Sequence, residues 1–205
     1  MLVVGAGGFA KENLEILLQN GIENNTVFYD DLNPINDRFL YGRFPILNSE
    51  TEASEYFIKV DNRFVLGLGN PISRHLMCNK FELLGGKLTS IISQHSEIGS
   101  FDVLIGKGCN ILSGVKISNS VKIGVGTIIY YNSIITHDVT IGDFVEISPN
   151  ATLLGKVQIG NNSQIGAGAI ILPGIKVGDN VVIGAGAVVT RDIYNNSKVK
   201  GIPAK

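Results

Sequence analysis

Branched aliphatic residues recur at every sixth position from Ile105 to Val189, and that spacing leaves few folds open. Stepping by six gives Ile105, Ile111, Ile117, Ile123, Ile129, Ile135, Ile141, Ile147, Leu153, Ile159, Ile165, Ile171, Val177, Ile183 and Val189, with no insertion. Two residues before each stands a small or β-branched residue, from Val103 and Cys109 through to Val181 and Ala187. A slower glycine beat falls at Gly106, Gly124, Gly142, Gly160 and Gly178, every eighteen residues. A period of six matches neither the α-helix nor the heptad, and a glycine-rich, β-branched run is a poor helix former. It fits a solenoid of short strands with a turn in each hexad, three hexads to a coil. In such a prism the aliphatics point inward and stack on their equivalents about 4.8 Å away along the axis. The small residues fill the corners, and the glycines are expected to supply the positive φ of the turns. One coil cannot bury its own apolar face, so stacked coils share a core.

The segment before the array has a different grammar. Leu2 to Val4 reads as a short buried strand running into a glycine turn, GAGGFAK. An amphipathic helix is expected over Glu12 to Asn20, closed by Gly21, and a second strand over Val27 to Tyr29 ends in Asp30 and Asp31. Strand, glycine turn, helix, strand and acid follow the order of a mononucleotide-binding βαβ unit, in which backbone N–H groups and a helix N-terminus face an anion. Ile46 starts a further short segment, and Tyr56 to Val60 fits a helix end or a strand. Phe64 to Leu68 reads as a buried strand, and Ile72 to Leu84 as a second helix ended by Gly85 and Gly86. With fewer than about 90 residues ahead of the array, there is room for one nucleotide group rather than for the two halves of a dinucleotide fold. The expected organisation is therefore an α/β Rossmann-like domain over 1–88 and a parallel β-helix over 89–205. Ile92 and Ile98 keep the beat in the first coil, which slips by one near Phe101. The polar tail after Val189 would cover the last coil.

Composition excludes several classes. With 17 Lys+Arg against 18 Asp+Glu, no basic footprint suggests nucleic acid or an anionic membrane. No apolar run reaches membrane-spanning length, and MLVVGAGG is too short and glycine-broken for a signal peptide. Cys78 and Cys109 have no metal-ligand spacing, and Cys109 falls on an inward small position. A cytoplasmic protein without disulfides is the expectation.

Of His75, His95 and His137, only His137 lies in the regular array, at a turn beside Asp138. A histidine there suits a general base, since imidazole titrates near neutrality and a carboxylate partner raises its basicity. Strand alternation points neighbours to opposite faces, so Asp138 reaches the imidazole only if the turn redirects it or if it acts across a subunit boundary. No Ser-His-Asp or Cys-His arrangement supports a covalent nucleophile. A γ-type carbonic anhydrase would need three histidines on zinc, and a non-catalytic β-helix scaffold is the remaining alternative. No metal is expected.

GAGGFAK near the start, YDD at 29–31, GN at 69–70, the hexad array, THDVTIGDF at 136–144 and the closing GIPAK together carry a resemblance. Over nearly its whole length the chain resembles the PglD-like and sialic-acid O-acetyltransferase group of bacterial sugar acetyltransferases. That resemblance implies a left-handed coil, a homotrimer, and direct acetyl transfer from acetyl-CoA to a sugar amine or hydroxyl. His137 would be the base and Asp138 its partner. Gly7, Gly8 and Lys11 match the family's nucleotide-sugar phosphate loop, with Phe9 where some relatives have histidine. Asp30 and Asp31 match its acids near the nucleoside. Gly155, Ala167 and Ala185 would line the acetyl-CoA arm, with Glu146 where some relatives carry a second histidine near the thioester. The implied reaction is N-acetylation of a nucleotide-linked 4-amino-dideoxysugar for a surface glycan. The alternative is O-acetylation of sialic acid or a related sugar.

Overall fold

The computed structural model describes residues 1–32 and 38–205, and the chain divides into two units, Met1–Ile91 and Ile92–Lys205. The first is an α/β unit. Its elements are β1 (Leu2–Val4), α1 (Gly8–Gln19), β2 (Val27–Tyr29), β3 (Phe39–Leu40), β4 (Phe44–Leu47), α2 (Glu50–Lys59), β5 (Arg63–Leu66), α3 (Pro71–Leu83) and β6 (Lys87–Leu88). The sheet order is β3-β4-β2-β1-β5-β6, parallel except for the β3–β4 hairpin. Because β1 lies between β2 and β5, the connections leave it in opposite directions. A crevice opens at such a switch point, at the carboxyl ends of the strands. Phe28, Phe64 and Phe81 are fully buried beneath it.

Local chemistry sets the element ends. Helix α1 starts at Gly8, four residues before the expected Glu12, because Gly7 already sits in the N-cap position and Lys11 N–H donates to its carbonyl. The Tyr56 segment is the end of α2, which Ser49 caps by accepting from Glu52 N–H. Asn70, of the GN pair, caps α3 by accepting from Ser73 N–H at 3.0 Å. The β3–β4 hairpin was not foreseen: Tyr41 (φ +53°) and Gly42 (φ +65°) make a turn with two positive φ angles, a geometry that matches strand twist.

The second unit is a left-handed parallel β-helix. Its two-residue strands pair in parallel with strands eighteen residues away, building three sheets. We name them after the coil around His137. The first sheet contains Glu146–Ile147, the second Ile134–Ile135, and the third Thr140–Ile141. The six-spaced aliphatics and their small partners form one continuous buried core. Polar residues at inward small positions spend their hydroxyls on carbonyls of the next coil: Thr127 on Gly142, Ser133 on Ser148, Ser163 on Gly178. Buried polar groups are tolerated when paired in this way. Cys109 is fully buried and packs its Sγ on the Gly124 carbonyl.

The glycine expectation needs correction. Positive φ occurs at every sixth residue from Asp102 to Gly186, three positions before each aliphatic from Ile105 to Val189, and these sites hold Asn, Asp, Ser, Lys and Phe as well as Gly. The eighteen-spaced glycines have ordinary φ and are required by close approach instead. A Cβ on Gly142 would sit 2.6 Å from Asn161 Oδ1, and one on Gly160 would sit 2.5 Å from the carbonyl carbon of Gly178. The tail does cover the last coil: Lys198–Val199 pairs with Val182–Ile183, and Ala204 N–H donates to the Val188 carbonyl.

Candidate active site

Each coil turns three corners, and one of them is closed by a ladder of side chains. Between the third and first sheets, Asp143, Asn161, Asp179 and Asn195 each turn an Oδ1 onto the backbone N–H below, on Val125, Asp143, Asn161 and Asp179 respectively, at 2.6–2.9 Å. Those four donors are thereby satisfied within the chain. Between the second and third sheets the same column reads Asn119, His137, Gly155 and Pro173. Asn119 Oδ1 still accepts from Phe101 N–H. From His137 onward no side-chain acceptor follows, and among the described residues the N–H groups of Asn119, His137 and Gly155 have no protein acceptor. Between the first and second sheets the column contains Ala167 and Ala185, whose N–H groups are likewise unpaired. A backbone donor without a partner calls for water or a ligand.

His137 thus stands where an Asx side chain would otherwise cap the coil. Asp138 adopts φ +60°, and this left-handed turn swings its carboxylate back onto its neighbour, with Oδ2 2.8 Å from His137 Nδ1. The redirection needs no second subunit. A carboxylate can only accept, so Nδ1 carries the proton and Nε2 presents a lone pair. The imidazole is 63% exposed and lies directly over Gly155. A Cβ there would be 2.5 Å from Cε1 and 2.7 Å from Nε2. Sequence reading assigned Gly155 to acetyl-CoA; the structure adds that its missing side chain makes room for the ring. A shallow cleft of about 550 Å³ ends on His137 along the outer face of the second sheet, past Ile134, Lys116 and Glu97.

The other named residues of the β-helix lie elsewhere within one chain. Glu146 is on the first sheet, accepting from Gln164 Nε2 at 2.9 Å, and Ala167 and Ala185 are exposed at the corner between first and second sheets. A single chain therefore does not bring Glu146, Ala167 and Ala185 to the His137 corner.

In the α/β unit, Gly7, Gly8, Phe9, Asp30 and Asp31 converge on a cleft of about 500 Å³ at the switch point. Its other wall comes from the second crossover: Gly67, Leu68, Gly69, Ser73, Leu76 and Met77. Reading the sequence missed these residues, although the strand–glycine–helix pattern after Phe64 repeats the signal seen at Gly5. The close fit is visible at Gly67, where a Cβ would come within 2.8 Å of Ala10 Cβ. Helix α1 opens on the cleft with a glycine cap and no acid in its first turn, so its dipole meets an anion unopposed. Lys11 is not in the cleft lining; its ammonium stands 5.6 Å from the centre of the Tyr41 ring. Asp30 Oδ1 accepts from Leu32 N–H, and Asp31 Oδ2 accepts from the Tyr29 hydroxyl. Among the described residues no cluster of His, Cys, Asp or Glu is placed to hold a metal ion, and no helix is long and apolar enough to cross a membrane.

Comparison with known proteins agrees with both halves of this geometry. The PglD N-terminal domain family matches residues 1–81, and the bacterial transferase hexapeptide family (six repeats) matches residues 156–191. Among curated proteins, sequence comparison finds no match. Among solved structures, the acetyltransferase domain of PglB from Neisseria gonorrhoeae FA1090 is 29% identical with a TM-score of 0.89, covering 100% of this chain and 97% of that one. PerB from Caulobacter crescentus, in complex with CoA and GDP-perosamine, is 27% identical with a TM-score of 0.91, covering 100% and 95%. WeeI from Acinetobacter baumannii AYE is 28% identical with a TM-score of 0.89, covering 100% and 97%. With a PglD-type N-terminal domain joined to a hexapeptide-repeat β-helix, the chain is an acetyltransferase by fold and resembles, over its whole length, the PglD-like group of bacterial sugar acetyltransferases.

Proposed function

We propose that the chain transfers acetyl from acetyl-CoA to the amine of a nucleotide-linked 4-amino-dideoxysugar, with His137 as general base. The observation that carries this reading is the Asp138–His137 pair, seated over Gly155 at a corner whose backbone donors are unspent. His137 Nε2 takes the proton of the neutral amine as its nitrogen attacks the thioester carbonyl. Asp138 stabilises the imidazolium that forms. The Gly155 N–H, in the coil next to that of His137, is the donor we assign to the developing oxyanion, a role worth about 3–4 kcal/mol in acyl transfer. Collapse of the tetrahedral carbon expels the CoA thiolate, which recovers the proton from His137. The N-terminal cleft, with its glycine turn and α1 N-terminus, holds the nucleotide; Gly7, Gly8, Phe9, Asp30 and Asp31 are its contacts, and Lys11, outside the lining, is not assigned one. PerB, a relative with the same fold and GDP-perosamine bound, supports a nucleotide-sugar acceptor.

Ala167, Ala185 and Glu146 contact acetyl-CoA in this reading from a neighbouring copy. Their corner is distinct from that of His137 within one chain, so we propose a homotrimer in which adjacent β-helices wall the thioester groove. The test is thiol release by the full chain with acetyl-CoA and amino sugars linked to UDP, GDP or dTDP, with mass spectrometry placing the acetyl group. Turnover with one nucleotide sugar, acetylated on nitrogen and lost in His137→Asn, is the expected result. Acetylation of a free sugar hydroxyl instead would identify an O-acetyltransferase. No thiol release with any acceptor would refute the reading.

A further inference from the structure

One acid of the cleft in the α/β unit is held by residues from two elements, one of which is itself anchored by a third. The Tyr29 hydroxyl, at the end of β2, donates to Asp31 Oδ2 at 2.9 Å. Lys80 Nζ reaches the same oxygen at 3.5 Å from α3, and pairs at 2.9 Å with Glu50 Oε1 at the first residue of α2. The ammonium also stands 5.7 Å from the centre of the Tyr29 ring. Burial, then the Asp31 carboxylate, push the Tyr29 phenol up to about 12, so it remains a donor at neutral pH. Hydrogen bonding to Glu50 raises Lys80, which stays charged. Asp31 Oδ1, by contrast, has no protein partner among the described residues, while Asp31 lines the cleft.

We infer that Lys80 is a positioning residue for the nucleoside subsite: with Tyr29 it fixes Asp31 by Oδ2 and presents Oδ1 to an O–H or N–H donor of the bound nucleoside. This rests on the nucleotide-sugar reading and adds to it a residue outside the glycine loop. A surface aspartate free to sample rotamers would lose that freedom on binding; one already fixed does not, and pre-organisation of this kind appears as affinity. Lys80 is only 25% exposed, so its attraction to Asp31 is less screened than that of a fully solvated pair.

The test is calorimetric titration of the full chain with UDP, GDP and dTDP, followed by steady-state kinetics. The wild-type chain is expected to bind one of them best. Lys80→Met should weaken that binding about tenfold, which is about 1.4 kcal/mol, and Lys80→Arg should recover most of it. Asp31→Asn should cost a similar factor, and adding Lys80→Met to Asp31→Asn should cost little more, since residues acting through one contact are not additive. The KM for the nucleotide sugar should rise in Lys80→Met while the KM for acetyl-CoA stays put. Binding by Lys80→Met within twofold of wild type overturns the inference. So does a full additive loss in the double variant, or an Arg variant that folds and still fails to bind. If the wild-type chain binds none of the three nucleotides, the nucleotide-sugar reading itself falls.

Discussion

Gly155→Ala isolates the placement of the imidazole from every other feature of the proposed site. The added methyl carbon would lie 2.5 Å from His137 Cε1 and 2.7 Å from Nε2. Carbon atoms settle at about 3.5 Å, so the ring must retreat by about 1 Å or rotate away. The coil has little reason to move in its place. The ring is mostly solvated, the Gly155 φ is an ordinary one, and the backbone around it is tied by the Lys156 N–H to His137 carbonyl bond. Stability should therefore change by under about 1 kcal/mol. A misplacement of about 1 Å at a reacting group costs about a hundredfold in rate, equivalent to about 2.7 kcal/mol of barrier. Alanine retains the backbone N–H, so the oxyanion donor is preserved and the loss reports the base alone. Thiol release should show kcat down about a hundredfold with the KM values little altered. A folded Gly155→Ala enzyme with kcat within threefold of wild type would refute the claim that the base acts from above Gly155.

The other expectations concern stability and assembly. Gly126→Ala, at φ +65°, drives a methyl into the buried Phe144 ring, whereas Gly168→Ala, at φ +67°, meets open space. The second should cost about 1–2 kcal/mol for the left-handed backbone alone, and the first clearly more, as read by thermal or urea unfolding. Asp143→Ala removes the acceptor for Val125 N–H from the closed corner and should cost about 1 kcal/mol in the same assay. Burial would raise the Asp61 carboxyl, but hydrogen bonds from Arg63 outweigh it and hold the group well below the usual carboxylate range. Its folded pKa being depressed, Asp61 stabilises the fold above about pH 4 and loses that effect as the pH falls further. Asp61→Asn should accordingly destabilise most at pH 7, and its difference from the wild type should shrink steadily as the pH is lowered from 4 towards 2. Light scattering should give three times the 22.0 kDa chain mass; a monomer with full activity would remove the shared-groove proposal.

The core of the β-helix was legible because burial repeats in register: every six-spaced aliphatic faces the same prism, and sequence period and packing period coincide. The turns were less so, because φ +54° to +75° is imposed by the coil on whatever residue falls there. Most of these sites hold Gly, Asn or Asp, which adopt it readily, but Ser120, Phe144 and Lys156 adopt it too, so no single residue type marks the turn. The eighteen-spaced glycines were seen for the wrong reason, since close coil-to-coil approach and backbone freedom both select the same residue. In the α/β unit the first half of the cleft was announced by GAGG, while Gly67 and its neighbours were read as strand and turn. Only the sheet order, which sets β5 beside β1, makes them the opposite wall.

The location of the proposed chemistry follows from the same lattice. A coil of eighteen residues must place a backbone N–H at each corner where no strand partner exists. At the corner between third and first sheets, Asp and Asn side chains absorb those donors rung by rung from Val125 to Asp179. At the His137 corner the ladder stops after Asn119: imidazole, hydrogen and pyrrolidine occupy the next three rungs. The change frees N–H groups, opens space over Gly155, and puts the histidine's carboxylate partner on the left-handed turn position that every coil already contains. One interruption of a stabilising ladder thus supplies the proposed base, its orienting acid and the proposed oxyanion donor together. Restoring the ladder should undo all three. Gly155→Asn would offer an Oδ1 to the His137 N–H, as Asn161 does for Asp143, while its side chain displaces the ring. That variant should unfold at a higher denaturant concentration than Gly155→Ala and be at least as inactive. A Gly155→Asn chain that turns over faster than Gly155→Ala would show that the imidazole and the ladder do not compete for this corner.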